Sequence, residues 1–288
     1  MAFNLPAVPR GVMAARPDPA RSTTQTAKTQ GFTLQFGKPK NFAGRRVVLY
    51  AEGGVGKTTL CSNISGRVVF FDLDKSLAQL PDLQDAINAG RIQSVQGVVT
   101  WEDLRAALNA PGWDGVDTIV IDTLTVAEQM ATDYVLRTVK RERGMDATSI
   151  EDYGYGKGYR YVADAFDLLL SDIERHTDAG RNVVLVCHSV IQNNTDPVDE
   201  NYPRYEPRLL HTASGKVSIR LRVREWADDV LYLAKDRAVK DGKAVTGEGR
   251  TIYPTDMGWC MGKSRRFREP IVLTDPAGIW AALLNKNN

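Results

Sequence analysis

Residues 53–59 of this chain are Gly-Gly-Val-Gly-Lys-Thr-Thr, preceded by Ala51 and Glu52. A small residue, four of any kind, then Gly-Lys-Thr is the pattern of a loop that cradles phosphate between a strand and a helix. Each residue type has a chemical reason. Gly53, Gly54 and Gly56 let backbone N–H groups turn toward a β-phosphate, Lys57 neutralises β- and γ-oxygens, and Thr58 offers a hydroxyl to Mg²⁺. With Val55 and Thr59 the candidate ATP-binding stretch runs from Glu52 to Thr59. Glu52 is its odd member, an acid at the rim of a site for a polyanion.

Such a loop requires a carboxylate at the end of a neighbouring buried strand to orient Mg²⁺. "DTIVIDTL" supplies Asp122, which stands 65 residues after Lys57, so Thr58 and Asp122 are the candidate metal pair. A general base is offered by "FFDLD", where Asp72 and Asp74 are two apart. On a strand they would share a face, and like charge raises proton affinity, which favours a base. Each equally suits a cap of the following turn. His188 follows five apolar residues in "VVLVCHS". It is open to two readings, a polar sensor of the γ-phosphate and a structural histidine.

The elements that must hold these residues alternate. "RRVVLY", "RVVFFDLD", "DTIVIDTL" and "RNVVLVCHS" are short apolar runs separated by helical segments, which predicts a mainly parallel sheet covered on both faces. Thr100 with Asp103 three residues on marks a helix start. "TVAEQMATDYVLRTVKRERG" predicts a long helix stopped by Gly144, and "YGKGYRYVADAFDLLLSDIERHTDAG" another ending near Gly180. "VIQNNTDPVDENYPRYEPR" holds enough breakers to predict a long loop. "KVSIRLRVRE" fits both a strand, by strict alternation, and a helix, by the spacing of Lys216, Arg220 and Arg224. "ADDVLYLAK", "GRTIYPT" and "SRRFREPIVL" predict short antiparallel strands. A last helix follows, capped by Asp275 with Pro276 in its first turn.

The charge is unevenly divided. The whole chain of 288 residues carries +2, but residues 1–46 carry +7 and the remainder −5. The first 32 residues are rich in Pro, Ala, Thr and Arg without apolar periodicity, which predicts a disordered basic arm ahead of an ATPase domain over residues 33–288. No apolar run of about 18 residues or secretory leader is evident, so the expectation is a soluble, cytoplasmic protein with no membrane partner. Cys61, Cys187 and Cys260 lack the spacing of a zinc site or a disulfide framework, which predicts buried thiols.

Two families resemble the phosphate loop. The ParA/MinD partitioning ATPases carry a signature lysine where this chain has Glu52, reversing the charge at their defining position. An ordered set of motifs over residues 33–273 resembles instead the RecA-like ATPases, in particular small phage-encoded RecA-core proteins of single-strand annealing and recombination. The set is "EGGVGKTTL", "FFDLDKSL", "TIVIDTLT", "DYGYGKGY", "VVLVCHS", "RYEPRL", "REWADDVLYL" and "GKSRRF". Strand order separates the two families, because the RecA-like division inserts a strand between those carrying the phosphate loop and Asp122.

The RecA resemblance implies Asp74 as the catalytic carboxylate, in place of the family's usual Glu, and His188 as the switch between γ-phosphate and DNA. It implies a ring or filament of copies, with a basic residue reaching the neighbour's nucleotide; Lys263 and Arg265 are the candidates. It also implies single-stranded DNA as partner, with a single-strand-binding or other recombination protein as a further one. Lys140, Arg141, Arg143, Lys157 and Arg160 lie among tyrosines including Tyr155, and Arg204 and Arg208 follow the sensor strand. Cations interleaved with aromatics suit a sequence-tolerant grip on single strands. An annealing or scaffolding protein that binds ATP without turnover is the other alternative.

Overall fold

The computed structural model describes residues 44–195, 200–240 and 243–284. The arm expected over residues 1–32 lies outside the described residues. Among those described, nine strands form one sheet. They are β1 (Arg46–Ala51), β2 (Val68–Asp72), β3 (Ile92–Ser94), β4 (Thr118–Asp122), β5 (Asn182–Asn194), β6 (Tyr202–Pro207), β7 (Asp229–Lys240), β8 (Lys243–Tyr253) and β9 (Ile271–Val272). Their order is β3-β2-β4-β5-β1-β7-β8-β9, with β6 paired to β5. From β3 to β7 neighbours are parallel; β8 and β9 add antiparallel. β5 therefore lies between β1, which leads into the phosphate loop, and β4, which ends in Asp122. This is the inserted-strand order.

The helices are α1 (Lys57–Ser62), α2 (Gln84–Asn88), α3 (Trp101–Asn109), α4 (Leu124–Thr138), α5 (Lys157–Asp178), α6 (Ile219–Trp226) and α7 (Pro276–Leu284). Strand side chains alternate between two buried layers. Val48, Tyr50, Ile119 and Ile121 pack with residues of α3, α4, α5 and α6, whereas Val47, Leu49, Val120 and Val184 pack with residues of α1 and α7. The α/β architecture is the expected one, with helices on both faces and a C-terminal antiparallel extension. The Thr100 cap and its reciprocal bond with Asp103 are present, and Asp275 accepts the Gly278 N–H at the start of α7. All three cysteines are buried and unpaired. No described helix is long and apolar enough to cross a membrane.

Several expectations need correction. α4 ends at Thr138 rather than near Gly144, because Val139 turns extended and the Tyr153 hydroxyl reaches the carbonyls of Val135 and Val139. The expected loop after His188 is a hairpin arm: β5 runs on to Asn194 and pairs antiparallel with β6, from Ser189 opposite Pro207 to Asn194 opposite Tyr202. Its backbone groups are satisfied by the ladder although its side chains are polar. β7 does pair antiparallel with β8 as expected, but its other edge pairs parallel with β1, its Val-Leu-Tyr-Leu-Ala run being that of a strand covered on both faces. Within "SRRFREPIVL" only Ile271–Val272 is strand, since the Ser264 hydroxyl accepts the Arg266 and Phe267 N–H groups and turns the chain away.

The ambiguous segment 216–225 is helical from Ile219, with Ser218 as its N-cap. Ile219, Arg220, Val223 and Trp226 point inward, so the three basic residues do not form one solvated stripe. The Arg220 guanidinium is 5% exposed and ion-pairs with Glu206 of β6, itself 5% exposed. Arg220 also donates to the Leu209 carbonyl, and Asn194 donates to the other Glu206 oxygen. This pair ties the β5–β6 arm to α6. Glu206→Ala leaves a buried guanidinium unpaired and is expected to lower unfolding free energy by about 3–5 kcal/mol. Urea denaturation measures it, and a loss below about 1 kcal/mol would show that the arm is held by other contacts.

Candidate nucleotide site

β1 ends at the buried Ala51, and the chain then turns through Glu52–Gly56 before α1 begins. Gly54 (φ 70°) and Gly56 (φ 100°) occupy the left-handed region, which explains glycine at both. Val55 points down into the core under the loop, 4% exposed, so only its backbone is available to a ligand. Glu52, Gly53, Gly54 and Thr59 are on the exposed side. Lys57 is 7% exposed, and its ammonium donates to the carbonyls of Glu52 (3.0 Å) and Ala51 (3.4 Å). Burial lowers its pKa, opposed by the nearby Asp122 and Asp74 carboxylates.

Asp122 projects from the end of β4 and is 1% exposed. The Thr58 hydroxyl donates to its Oδ2 at 2.6 Å. Burial pushes this carboxyl up to about 6, with a further rise from Asp74 and Asp72 against the Thr58 hydrogen bond and Lys57. Ser76, which sequence reasoning missed, stands 3.0 Å from the Thr58 hydroxyl and 3.5 Å from Asp122. A signal was present, because a turn closing straight after a strand returns its next residues to the end of the neighbouring strand, here β4.

The two acids of "FFDLD" separate cleanly. Asp72, the last residue of β2, accepts the N–H groups of Ser76 (2.9 Å) and Leu77 (3.2 Å), which makes it the turn cap. Asp74 lies beyond the strand, and Lys75 after it has φ 56°, so the chain doubles back. The Asp74 Oδ2 is 3.1 Å from His188 Nε2, and its Oδ1 accepts the Thr123 hydroxyl at 3.4 Å. Burial, then Lys57, lower the His188 pKa more than Asp74 raises it, so the imidazole is neutral at pH 7. Its backbone is held on both sides: the N–H donates to the Thr125 hydroxyl (3.1 Å) and the carbonyl accepts the Arg208 N–H (2.8 Å). Thr123 and Thr125 were missed because, in sequence, they look only like the cap and first turn of α4.

The loop, Lys57, Thr58, Asp122, Asp74 and His188 thus converge at the C-terminal ends of β1, β2 and β4, beside the middle of β5. Among the described residues no three His, Cys, Asp or Glu side chains form a metal cage. The donor set fits Mg²⁺ all the same, since that ion takes one or two protein oxygens and completes its shell with phosphate and water. A buried acid of raised pKa against a hydroxyl is a hard oxygen pair of this kind.

Lys263 and Arg265 are elsewhere. Lys263 bridges to Val230, near the start of β7, and its ammonium donates to the carbonyls of Arg224, Glu225 and Ala227, capping the end of α6. That cation is engaged within its own chain, which corrects its assignment as a reaching residue. Arg265 is exposed.

Lys140, Arg141, Tyr153, Tyr155, Lys157 and Tyr161 line one cleft of 470 Å³, with Glu142 and Asp152. Arg160 follows on α5 and pairs with Asp164; the Arg143 side chain lies outside the described residues. Arg204 is only 14% exposed and pairs with Asp256 and Glu206, which removes it from a free phosphate-binding surface. Arg208 is exposed beside His188.

A family model described as an AAA domain (AAA_24) matches residues 43–266. Among solved structures, the flagellar accessory protein FlaH from Methanocaldococcus jannaschii is similar over 80% of this chain and 85% of that one, at 11% identity and a TM-score of 0.40. No curated protein matches.

Proposed function

The chain belongs to the AAA domain family, and from that premise we propose that it hydrolyses Mg-ATP and assembles with copies of itself into a ring or filament. We propose further that it acts on single-stranded DNA in phage or bacterial recombination, annealing or replication. The observation that carries the ATPase reading is the gathering of Lys57, the Thr58–Asp122 pair and the Asp74–His188 pair around one glycine loop. Lys57 supplies positive charge to the phosphates. Asp74, oriented by Thr123 and His188, positions a water and accepts its proton as that water attacks in line. Mg²⁺, held by Thr58 and Asp122, would stabilise charge on the leaving oxygens. The inserted β5 favours this reading over a ParA/MinD-like switch.

The DNA reading rests on the cleft around Tyr155. That ring is fully exposed on a residue of φ 50°, and Lys140, Arg141 and Lys157 stand around it. Lys140 and Lys157 are paired with the exposed acids Asp146 and Glu142, contacts of little net worth in water that a phosphodiester can displace. ATP hydrolysis and DNA binding measured across a salt series test the whole reading. Hydrolysis stimulated by single strands, with binding that weakens as salt rises and in Tyr155→Ala with Lys157→Ala, is expected. Binding of ATP without turnover would favour the scaffolding alternative, and turnover without salt-sensitive DNA binding would remove the DNA role and leave the ATP site.

A further inference from the structure

β8 brings a cation to the phosphate loop that motif reading does not reach. Arg250 pairs in register with Lys235 of β7, and Ile252, two residues on, faces the same layer as α1 and Leu231. Alternation therefore turns the Arg250 side chain toward the loop. Its Nε, Cζ and Nη2 lie 3.6, 3.7 and 3.7 Å from where a Cβ on Gly56 would stand. The Nε is buried without a hydrogen-bond partner. Arg250 is half-buried as a residue, but a buried N–H without an acceptor is costly, and the guanidinium cannot discard its proton to relieve that cost.

The sheet order says which part of a nucleotide it would meet. β4 and β2, which bear Asp122 and Asp74, lie on one side of β1, and β7 and β8 lie on the other. The hydrolytic groups mark the γ-phosphate end, so Arg250 flanks the opposite end of the loop.

We propose that Arg250 is an in-cis ligand for the α/β-diphosphate of a bound nucleoside di- or triphosphate, and so sets affinity for both without taking part in cleavage. The proposal rests on the ATP reading of the site. A contact made equally to substrate, transition state and diphosphate product changes binding and leaves the chemical step alone. It also places a second positive charge beside Lys57 at the loop.

The test is calorimetric titration of the native protein, Arg250→Gln and Arg250→Lys with ADP and with a non-hydrolysable ATP analogue, alongside steady-state hydrolysis and unfolding without nucleotide. The expected result is Kd raised about tenfold or more for both nucleotides in Arg250→Gln, consistent with loss of a charge-assisted bond. Arg250→Lys should recover part of the loss, kcat at saturating ATP should stay within about twofold, and the unfolding midpoint should be near native. Unchanged Kd with a lowered midpoint would make Arg250 a buttress of Gly56 and overturn the proposal. A fall in kcat with ADP affinity intact would overturn it too, by placing Arg250 at the γ-phosphate. A native protein that binds neither nucleotide would overturn the ATP reading itself, a result distinct from either.

Discussion

Asp122→Asn is expected to make the nucleotide-free protein more stable at pH 7.5 while lowering ATP turnover by about 10³-fold, about 4 kcal/mol of transition-state stabilisation. The carboxyl is 1% exposed and its pKa is pushed up to about 6 from the usual 3.8. An acid whose folded pKa is raised binds its proton more tightly in the fold than in the unfolded chain. Its contribution to stability is fully present below pH 3.8 and is lost as pH rises through about 6. That rise in proton affinity corresponds to about 3 kcal/mol, which the charged form forfeits at neutral pH and the amide does not. The amide still accepts the Thr58 hydroxyl, so the packing survives. Thermal unfolding at pH 5 and pH 7.5 should show the variant's advantage about half as large at the lower value, since pH 5 lies between 3.8 and about 6, and added Mg-ADP should stabilise the native protein more than the variant. A variant less stable than native at pH 7.5, or one that keeps its turnover, contradicts the assignment.

The second large effect concerns the acids that sequence alone left equivalent. Asp74→Ala should lower kcat by about 10²–10⁴-fold with the Kd for ATP changed by less than about threefold, because Asp74 contacts His188 and Thr123 and no part of the glycine loop. Asp72→Ala should do the reverse. It removes the acceptor for the Ser76 and Leu77 N–H groups, costing about 1–2 kcal/mol of stability, and leaves kcat within about tenfold of native. Equal loss of turnover in both variants would mean that the turn as a whole, and not one carboxylate, is what matters. His188 adds a pH signature. Since its pKa lies below the usual 6.5, acidification through that lower value creates an imidazolium that binds the Asp74 carboxylate and disables it as a base. The acid limb of kcat should therefore fall below pH 6.5 and change shape in His188→Gln.

What could be read beforehand follows from locality. The loop from Glu52 to Thr59, the strand ending in Asp122 and the caps at Thr100 and Asp275 are each specified within a few residues, and all form. The separation of Asp72 from Asp74 depends on the reversal at Lys75, which leaves no mark in composition. The Ser189–Pro207 hairpin escaped because its stability lies in a backbone ladder and in the Glu206–Arg220 pair, while its residues have the polarity of a loop. Lys263 and Arg204 looked like free cations in "GKSRRF" and "RYEPRL"; Lys263 is held by the Ala227 carbonyl 36 residues away, and Arg204 by Asp256, 52 residues away, besides its neighbour Glu206. Arg250 needed the sheet order before it had any neighbour to act upon.

One mechanical consequence comes from β5. It crosses from the sheet centre, past His188, to Asn194 as a single thirteen-residue strand. Its pairing with β6 begins at Ser189, immediately after the residue that touches Asp74. There is no joint between the two stretches. A displacement of His188 by a fraction of an ångström is therefore expected to carry with it an arm of six residues, about 20 Å long. The fulcrum is where Glu206 and Arg220 clamp the arm to α6. The protein has, in effect, a pointer whose short end touches Asp74 and whose long end is the β5–β6 arm.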